Sequence, residues 1–279
     1  MTTNTSTVPE IQLNSEVAIP QLGLGVFQIE PDHTAEVVRG ALEQGYRHID
    51  TAAMYGNERE VAEGIAQSGV SRQDVFLTTK LNNDGHGHDA AITALNESLR
   101  RLRTDYVDLY LIHWPLPQQQ RYVETWHAFE EVAAAGKARA IGVSNFQPAH
   151  LKALAESSST IPAVNQIELH PFLQQAQLRE YHRSHGIKTE AWSPIAQGDV
   201  LDTPVITGLA EQYGRSSAQV VLRWHIQLGN IVFPKSVTPS RVAENIDIFD
   251  WELSESDMHA IDGLDDGRRR GPDPDAFNG

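Results

Sequence analysis

The stretch Gly45-Tyr46-Arg47-His48-Ile49-Asp50-Thr51-Ala52-Ala53-Met54-Tyr55-Gly56-Asn57-Glu58 decides the reading of this 279-residue chain. His48 to Thr51 reads as the end of a buried strand, which runs into a loop carrying Tyr55 and then into a helix. Lys80 closes the next apolar strand, Val75 to Lys80, and His113 closes the one after it, Val107 to His113. Asp50, Lys80 and His113 thus end three successive strands, with Tyr55 on the loop after the first.

The same unit of apolar strand, loop and amphipathic helix repeats on both sides. Leu22 to Val26 is an earlier strand, followed by a helix that Asp32 can cap, whose Val37, Val38, Ala41 and Leu42 share one face and which Gly45 closes. Later strands are read at Ala140 to Ser144, Val164 to Leu169, Lys188 to Ser193 and Ile231 to Ser236. Helices fall near 59–67, 89–102, 122–135, 148–155, 175–185 and 204–228, the last broken around Gly214. Near-continuous apolar strands alternating with helices imply a parallel sheet covered by helices, and eight such units predict an α/β fold of the (β/α)8 TIM-barrel type. Ile11 to Leu13 and Val17 to Ile19, around Asn14-Ser15-Glu16, predict a short N-terminal β-hairpin. A doubly wound open sheet is the alternative, but Gly23-x-Gly25 runs into Val26, Phe27 and Gln28 without the third glycine of a dinucleotide fingerprint. No linker divides the chain, so residues 1–279 read as a single barrel domain, with residues 1–9 a flexible N-terminus and 265–279 a C-terminal loop lying over one barrel end.

Composition narrows the function classes. A hydrophobic content of 40% supports a large core, and a formal net charge of −15 opposes nucleic-acid or anionic-membrane partners. With no cysteine, disulfides and thiolate metal sites are absent. Met1 to Pro9 is polar and Thr-rich, and no run reaches the ~18 apolar residues of a membrane span. The expectation is a soluble cytoplasmic protein.

In a parallel barrel the strand C-termini converge on one rim, where Asp50, Lys80 and His113 would meet. The Asp50 carboxylate offsets the desolvation of Lys80, and the ammonium can donate to the phenol of Tyr55, lowering its pKa from the ordinary value near ~10. Tyr55 can then give a proton to an alkoxide forming on a carbonyl carbon, while His113 orients that oxygen. Alone, each would read as a cap, a structural or solvated group, or a rim aromatic; their joint occurrence at consecutive strand ends carries the argument. The segment Asp84-Gly85-His86-Gly87-His88-Asp89 reads as a mobile, solvated loop, and the chemistry calls for no metal.

These residues resemble the aldo-keto reductase family, in particular its bacterial 2,5-diketo-D-gluconate reductase-like members. The family pattern is matched by Gly45, Asp50, Ala52, Tyr55 and Glu58, a second signature by Gly142-Val143-Ser144-Asn145-Phe146, and a third by Phe233-Pro234-Lys235-Ser236-Val237-Thr238 with Arg241, Glu244 and Asn245. The likeness covers about residues 10–265. It implies an NADPH-dependent carbonyl reductase, a monomer acting on small carbonyl substrates such as dicarbonyls, sugar keto acids or aromatic aldehydes. Tyr55 would be the acid, tuned by Asp50 and Lys80, with His113 orienting the carbonyl. It further implies a cofactor site with Ser144, Asn145 and Gln166 on the nicotinamide carboxamide, Trp192 stacked on its ring, and Gly25, Asp50, Ser193, Ile195 and Gln197 alongside. Lys235, Ser236, Val237, Thr238 and Arg241 would hold the 2′-phosphate half, with Glu244 and Asn245 on adenine; two cations at a helix start form an anion site in any case. Phe27, Met54, Tyr55, Asn82, His113 and Trp114 are the expected substrate contacts. Asn82 stands where many relatives carry tryptophan, so substrate preference does not transfer, and Pro115 to Gln120 and the tail are candidate lids. Two other functions compete: a cofactor-binding sensing protein on the same fold, and a barrel hydrolase using Asp50 and Glu168 as paired carboxylates.

Overall fold

The computed structural model describes residues 8–279, so the expected flexible N-terminus lies outside it except for Val8 and Pro9. Strand β1 (Glu10–Gln12) pairs antiparallel with β2 (Ala18–Pro20), Ile11 opposite Ile19, giving the expected hairpin. Its Leu13, Val17 and Ile19 pack with Phe76, Val164 and Ile231, each the first residue of a later strand. The hairpin therefore plugs the amino-terminal end of the main sheet.

That sheet comprises β3 (Leu24–Gly25), β4 (His48–Asp50), β5 (Phe76–Leu81), β6 (Val107–Ile112), β7 (Ala138–Ser144), β8 (Val164–Glu168), β9 (Lys188–Trp192) and β10 (Ile231–Val232). Neighbours in space are neighbours in sequence, and every pair is parallel. The two edges meet: Leu22 bridges Val232, the Gly23 N–H donates to the Val232 carbonyl at 2.8 Å, and the Val232 N–H donates to the Gln21 carbonyl at 3.0 Å. Curling the sheet onto itself in this way leaves no unpaired edge.

Helices α1 (Pro31–Glu43), α2 (Glu58–Gln67), α3 (His88–Leu102), α4 (Tyr122–Ala134), α5 (Pro148–Ser157) and α6 (Ala176–Ser184) follow the strands in turn. Val38, Ala41 and Leu42 form the buried face of α1, with Val37 half-buried beside them. Asp32 lies within the first turn, and Glu30, not Asp32, holds the cap position. The long helix expected over 204–228 is two helices, α7 (Pro204–Tyr213) and α8 (Ser217–Gln227). Gly214 takes a left-handed φ of 63° that ends the first, and the Ser216 hydroxyl accepts the Gln219 N–H to start the second.

Several strand ends differ from expectation: β3 is only Leu24–Gly25, β5 runs one residue past Lys80 to Leu81, and β7 begins two residues early at Ala138. The eighth ring strand, expected to run to Ser236, stops at Val232; Pro234 has no N–H for a ladder, and the chain leaves the sheet toward α9 (Pro239–Ile246). His113 lies one residue beyond β6 rather than closing it. A further helix, α10 (Glu255–Asp262), was not anticipated, and after it the chain crosses the carboxyl-terminal rim. There the Arg270 and Gly271 N–H groups donate to the Glu168 carboxylate, the latter at 3.1 Å, and Phe277 packs 4.6 Å from the Trp114 ring.

Candidate active site

Asp50 ends β4, and the chain then makes one turn of 3-10 helix over Ala53–Tyr55 that brings Tyr55 back over the strand end. Lys80, next to last in β5, reaches up from the interior with no exposure to solvent. Its Nζ donates to Asp50 Oδ1 at 2.6 Å, to the Thr51 carbonyl at 2.8 Å and to the Tyr55 hydroxyl at 3.2 Å. An ammonium has three hydrogens, and all three are used. The His113 ring stands edge-on to Tyr55, 5.9 Å between centroids. Three strand ends and one loop thus bring together all four residues singled out in the sequence.

The electrostatics follow burial first and charge second. Burial alone would drive the proton off Lys80, but Asp50 and then Tyr55 outweigh it, so its pKa ends above the ordinary lysine value. Burial lifts the Asp50 carboxyl above its usual range although Lys80 and Gln166 both pull it down. Tyr55 corrects the sequence expectation of a lowered pKa. Its ring is only half-buried, yet burial of the phenol, helped by the Asp50 charge, raises the value above 10 although Lys80 pulls it down. His113, 6% exposed and near the Lys80 charge, is pushed down to about 3 by burial and is neutral at physiological pH.

Beneath the quartet the Gln166 amide donates to Asp50 Oδ2 at 2.9 Å and to Glu190 Oε2 at 2.8 Å. Sequence reasoning missed Glu190, an acid in the middle of β9 whose flanks Thr189 and Ala191 are buried. A carboxyl inside an otherwise buried strand was the available signal. Thr51, whose carbonyl completes the cage around Lys80, left no signal, because a backbone contact is independent of residue type.

The expected cofactor residues line the same rim. The Ser144 hydroxyl donates to the Gln166 carbonyl at 2.9 Å; the Asn145 amide donates to the Ser144 hydroxyl and to the His113 carbonyl, each at 3.0 Å; Trp192 Nε1 donates to Asn145 Oδ1 at 2.8 Å. These side chains are cross-braced, and Asn145 and Ser193 are held at positive φ of 64° and 49°. Ile195 is half-buried, and Gln197 is exposed in the turn Ala196–Gly198, also at positive φ. Gly25 ends β3 with the Phe233 carbonyl where a Cβ would stand, 2.6 Å away. Lys235, Val237, Thr238 and Arg241 are exposed while Ser236 and Asn245 are buried, and among the described residues neither Lys235 nor Arg241 enters an ion pair. Glu244 accepts a hydrogen bond from the Ser216 hydroxyl, so one of its oxygens already holds α8 to α9.

Of the expected substrate contacts, Phe27 and Met54 are 48% and 46% exposed, and Phe27 lies 5.0 Å from the Tyr55 ring. Asn82 is half-buried at the end of β5, and Trp114 is buried beneath Phe277. The segment 84–89 is not a free solvated loop: His86 is 2% exposed, with burial pushing its pKa down to about 4, and His88 begins α3. Among the described residues no three potential ligands gather as a metal would require. The hydrolase reading fails on geometry, because Asp50 is committed to Lys80 while Glu168 accepts from His170 and two tail amides.

A parallel ring of strands with Asp, Lys, Tyr and His converging at its carboxyl rim sets the class of protein, an oxidoreductase. The chain belongs to the aldo/keto reductase family, whose sequence model matches residues 21–266. It is 56% identical over 270 residues to an aldo-keto reductase of Mycolicibacterium smegmatis, spanning 97% of this chain and 98% of that one. It is 48% identical over 271 residues to the methylglyoxal reductase DkgA of Escherichia coli K12, spanning 96% and 98%. A mutant of Gox0644 solved in complex with NADPH superposes with a TM-score of 0.94 at 47% identity, covering 98% of this chain and 99% of that one. Among the described residues no helix is long and apolar enough to cross a membrane.

Proposed function

We propose that the protein, a single (β/α)8 barrel domain, reduces small aldehydes and ketones, dicarbonyls in particular, with NADPH as the reductant. The observation that carries this reading is Lys80 Nζ within hydrogen-bonding distance of both Asp50 and Tyr55, beside a neutral His113. NADPH, when bound, supplies the hydride. Tyr55 gives its hydroxyl proton to the carbonyl oxygen as that oxygen takes up charge, and Lys80 steadies the phenolate left behind. Asp50 keeps Lys80 charged in a site that would otherwise neutralise it. A phenol of raised pKa stays protonated throughout the neutral range, the form an acid must start from.

The site fits the cofactor chemically. Lys235 before α9 and Arg241 in its first turn, neither in an ion pair among the described residues of a chain of charge −15, suit a 2′-phosphate. The indole of Trp192, braced by Asn145, suits a stacked nicotinamide, and Gln166, Ser144 and Asn145 keep acceptor capacity for its carboxamide. The exposed apolar side chains of Phe27 and Met54 beside the polar Asn82 suit a small, partly polar carbonyl compound. The NADPH-bound neighbour and the methylglyoxal reductase support the same reading. The reading takes the protein as a cytoplasmic monomer.

The test is NADPH oxidation, followed by absorbance, against dicarbonyls, aldehydes and sugar ketones, with NADH in parallel. Turnover should favour NADPH. Tyr55→Phe should lower kcat by about 10²–10⁴-fold while NADPH still quenches tryptophan fluorescence with unchanged affinity. Full turnover in that variant removes Tyr55 from the chemistry, and NADPH binding without turnover in the wild type points to a sensing role instead.

A further inference from the structure

We propose that Glu190 is a positioning residue for the reaction, a neutral buried carboxyl that clamps the Gln166 amide against Asp50 and whose ionisation in alkali strengthens the hold of Tyr55 on its proton. The inference rests on the reading of Tyr55 as the acid. Glu190 is wholly buried in the centre of β9, with Gln166 of β8 on one side and the apolar Ile231 of β10 on the other. One nitrogen, Gln166 Nε2, has two hydrogens, and it gives one to Glu190 and one to Asp50. This fixes the orientation of the Gln166 side chain and leaves its carbonyl oxygen as the group it can offer elsewhere.

Two carboxyls bridged by one nitrogen in a dry interior cannot both ionise without strong repulsion. Asp50 touches the Lys80 ammonium at 2.6 Å, whereas among the described residues Glu190 forms no ion pair and its buried Oε1 has no partner. Asp50 is therefore the ionised member and Glu190 the protonated one. Burial, and after it the Asp50 charge, pushes the Glu190 pKa up to about 8. Lys80 pulls the Glu190 pKa down, but by less than burial and Asp50 raise it. His48 of β4 is neutral, its pKa pushed to about 3; Lys188 lies at the outer start of β9; Glu168 of β8 is held by His170 and the tail. When Glu190 loses its proton, the cage gains a second negative charge with no second cation. That charge disfavours the Tyr55 phenolate, while the Gln166 amide, as the donor, stays bound to Glu190 in either protonation state.

Glu190→Gln keeps an acceptor for Gln166 and cannot ionise. Reduction needs Tyr55 protonated and the reverse oxidation needs it deprotonated, so the alkaline limb of the first and the rising limb of the second should both move to lower pH, by about one unit. Loss of packing alone would depress rates at all pH values without moving both limbs together. Infrared difference spectra of wild type against the variant should also contain a protonated-carboxyl band at neutral pH that disappears in alkali. Unmoved limbs, or absence of that band, overturn the proposal. Should the glutamine variant not fold, Glu190→Met removes the same charge and must shift the limbs the same way. A wild type without turnover sinks the reductase reading, while the infrared titration still decides independently whether a neutral Glu190 exists to act.

Discussion

At Lys80 the chain holds an ammonium where no water reaches it, and only Asp50, the Thr51 carbonyl and Tyr55 compensate. The pair is costly to break from one side. Lys80→Met leaves Asp50 buried beside a thioether, and loss of one partner from a buried pair typically costs about 3–5 kcal/mol. The loss should be greatest in alkali. Without Lys80 the folded-state pKa of Asp50 lies far above its unfolded value near ~3.9, so the folded protein binds the extra proton and regains stability as pH falls toward that unfolded value. Urea midpoints at pH 8 and pH 5 should show the deficit shrinking, and Lys80→Met/Asp50→Asn should recover part of it at pH 8; a single variant as stable as wild type at pH 8 would contradict the pairing. At this scale the sequence was legible where chemistry coincided with strand ends, as for Asp50, Lys80 and His113. It was illegible where burial set the sign. The raised Tyr55 pKa depends on how much protein surrounds one hydroxyl, and residue type alone carries no record of that.

Among the elements, the C-terminal segment departs most from a passive loop. Glu168 ends β8 with its carboxylate receiving the Arg270 and Gly271 amides, Arg270 reaches Asp199 at 2.7 Å, and the Gln118 N–H donates to Asn278 at 2.8 Å. The tail is thereby tied to the end of β8 and to two separate loops of the rim. Gly271 is tightly constrained, because a Cβ there would sit 2.5 Å from the Trp192 indole, whose nitrogen is already held by Asn145. Gly271→Ala must displace either the tail or the ring. We expect faster amide exchange at 270 and 271, a several-fold rise in substrate KM, and a melting temperature within a few degrees of wild type, since the tail covers the rim and not the core. An unchanged KM would show that the tail does not shape the substrate site. Apolar periodicity located the ring strands and the break at Gly214, because burial on both faces and a left-handed glycine leave marks in sequence. It did not reveal α10, whose face toward α7 is short, nor the early end of β10 at Val232, where pairing with both neighbouring strands stops.

For the whole molecule, the histidines set the response to acid. His48, His113, His182 and His225 are pushed by burial to pKa values of about 3, and His86 to about 4. Their rings are neutral members of the packing: His182 joins Thr189 to Asn165, and His225 bonds the Pro194 carbonyl at 2.9 Å. In the unfolded chain each would titrate near ~6.5. Between that value and the folded one, the unfolded state binds protons that the folded state refuses, so stability falls as pH falls. Glu190 works the other way, since its folded pKa of about 8 lies above the ordinary glutamate value and the folded state gains from protonation as pH drops. Relief of repulsion among the surface acids of a chain with net charge −15 acts in the same direction as Glu190, but salt screens it. Five buried imidazoles against two buried acids, Asp50 and Glu190, decide the sign. At pH 5 each histidine should cost roughly 1–2 kcal/mol relative to neutral pH, enough together to consume a large part of the stability of a typical domain. Urea titrations in ~0.15 M salt, where surface charges are screened, should therefore show the midpoint falling between pH 7.5 and pH 5 with little change in slope. Replacing His182 by Gln, which can still bond Thr189 and Asn165, should flatten that fall by the share of one titrating group. A midpoint that rises toward pH 5 would mean that the surface acids, and not the buried histidines, govern the acid stability of this fold.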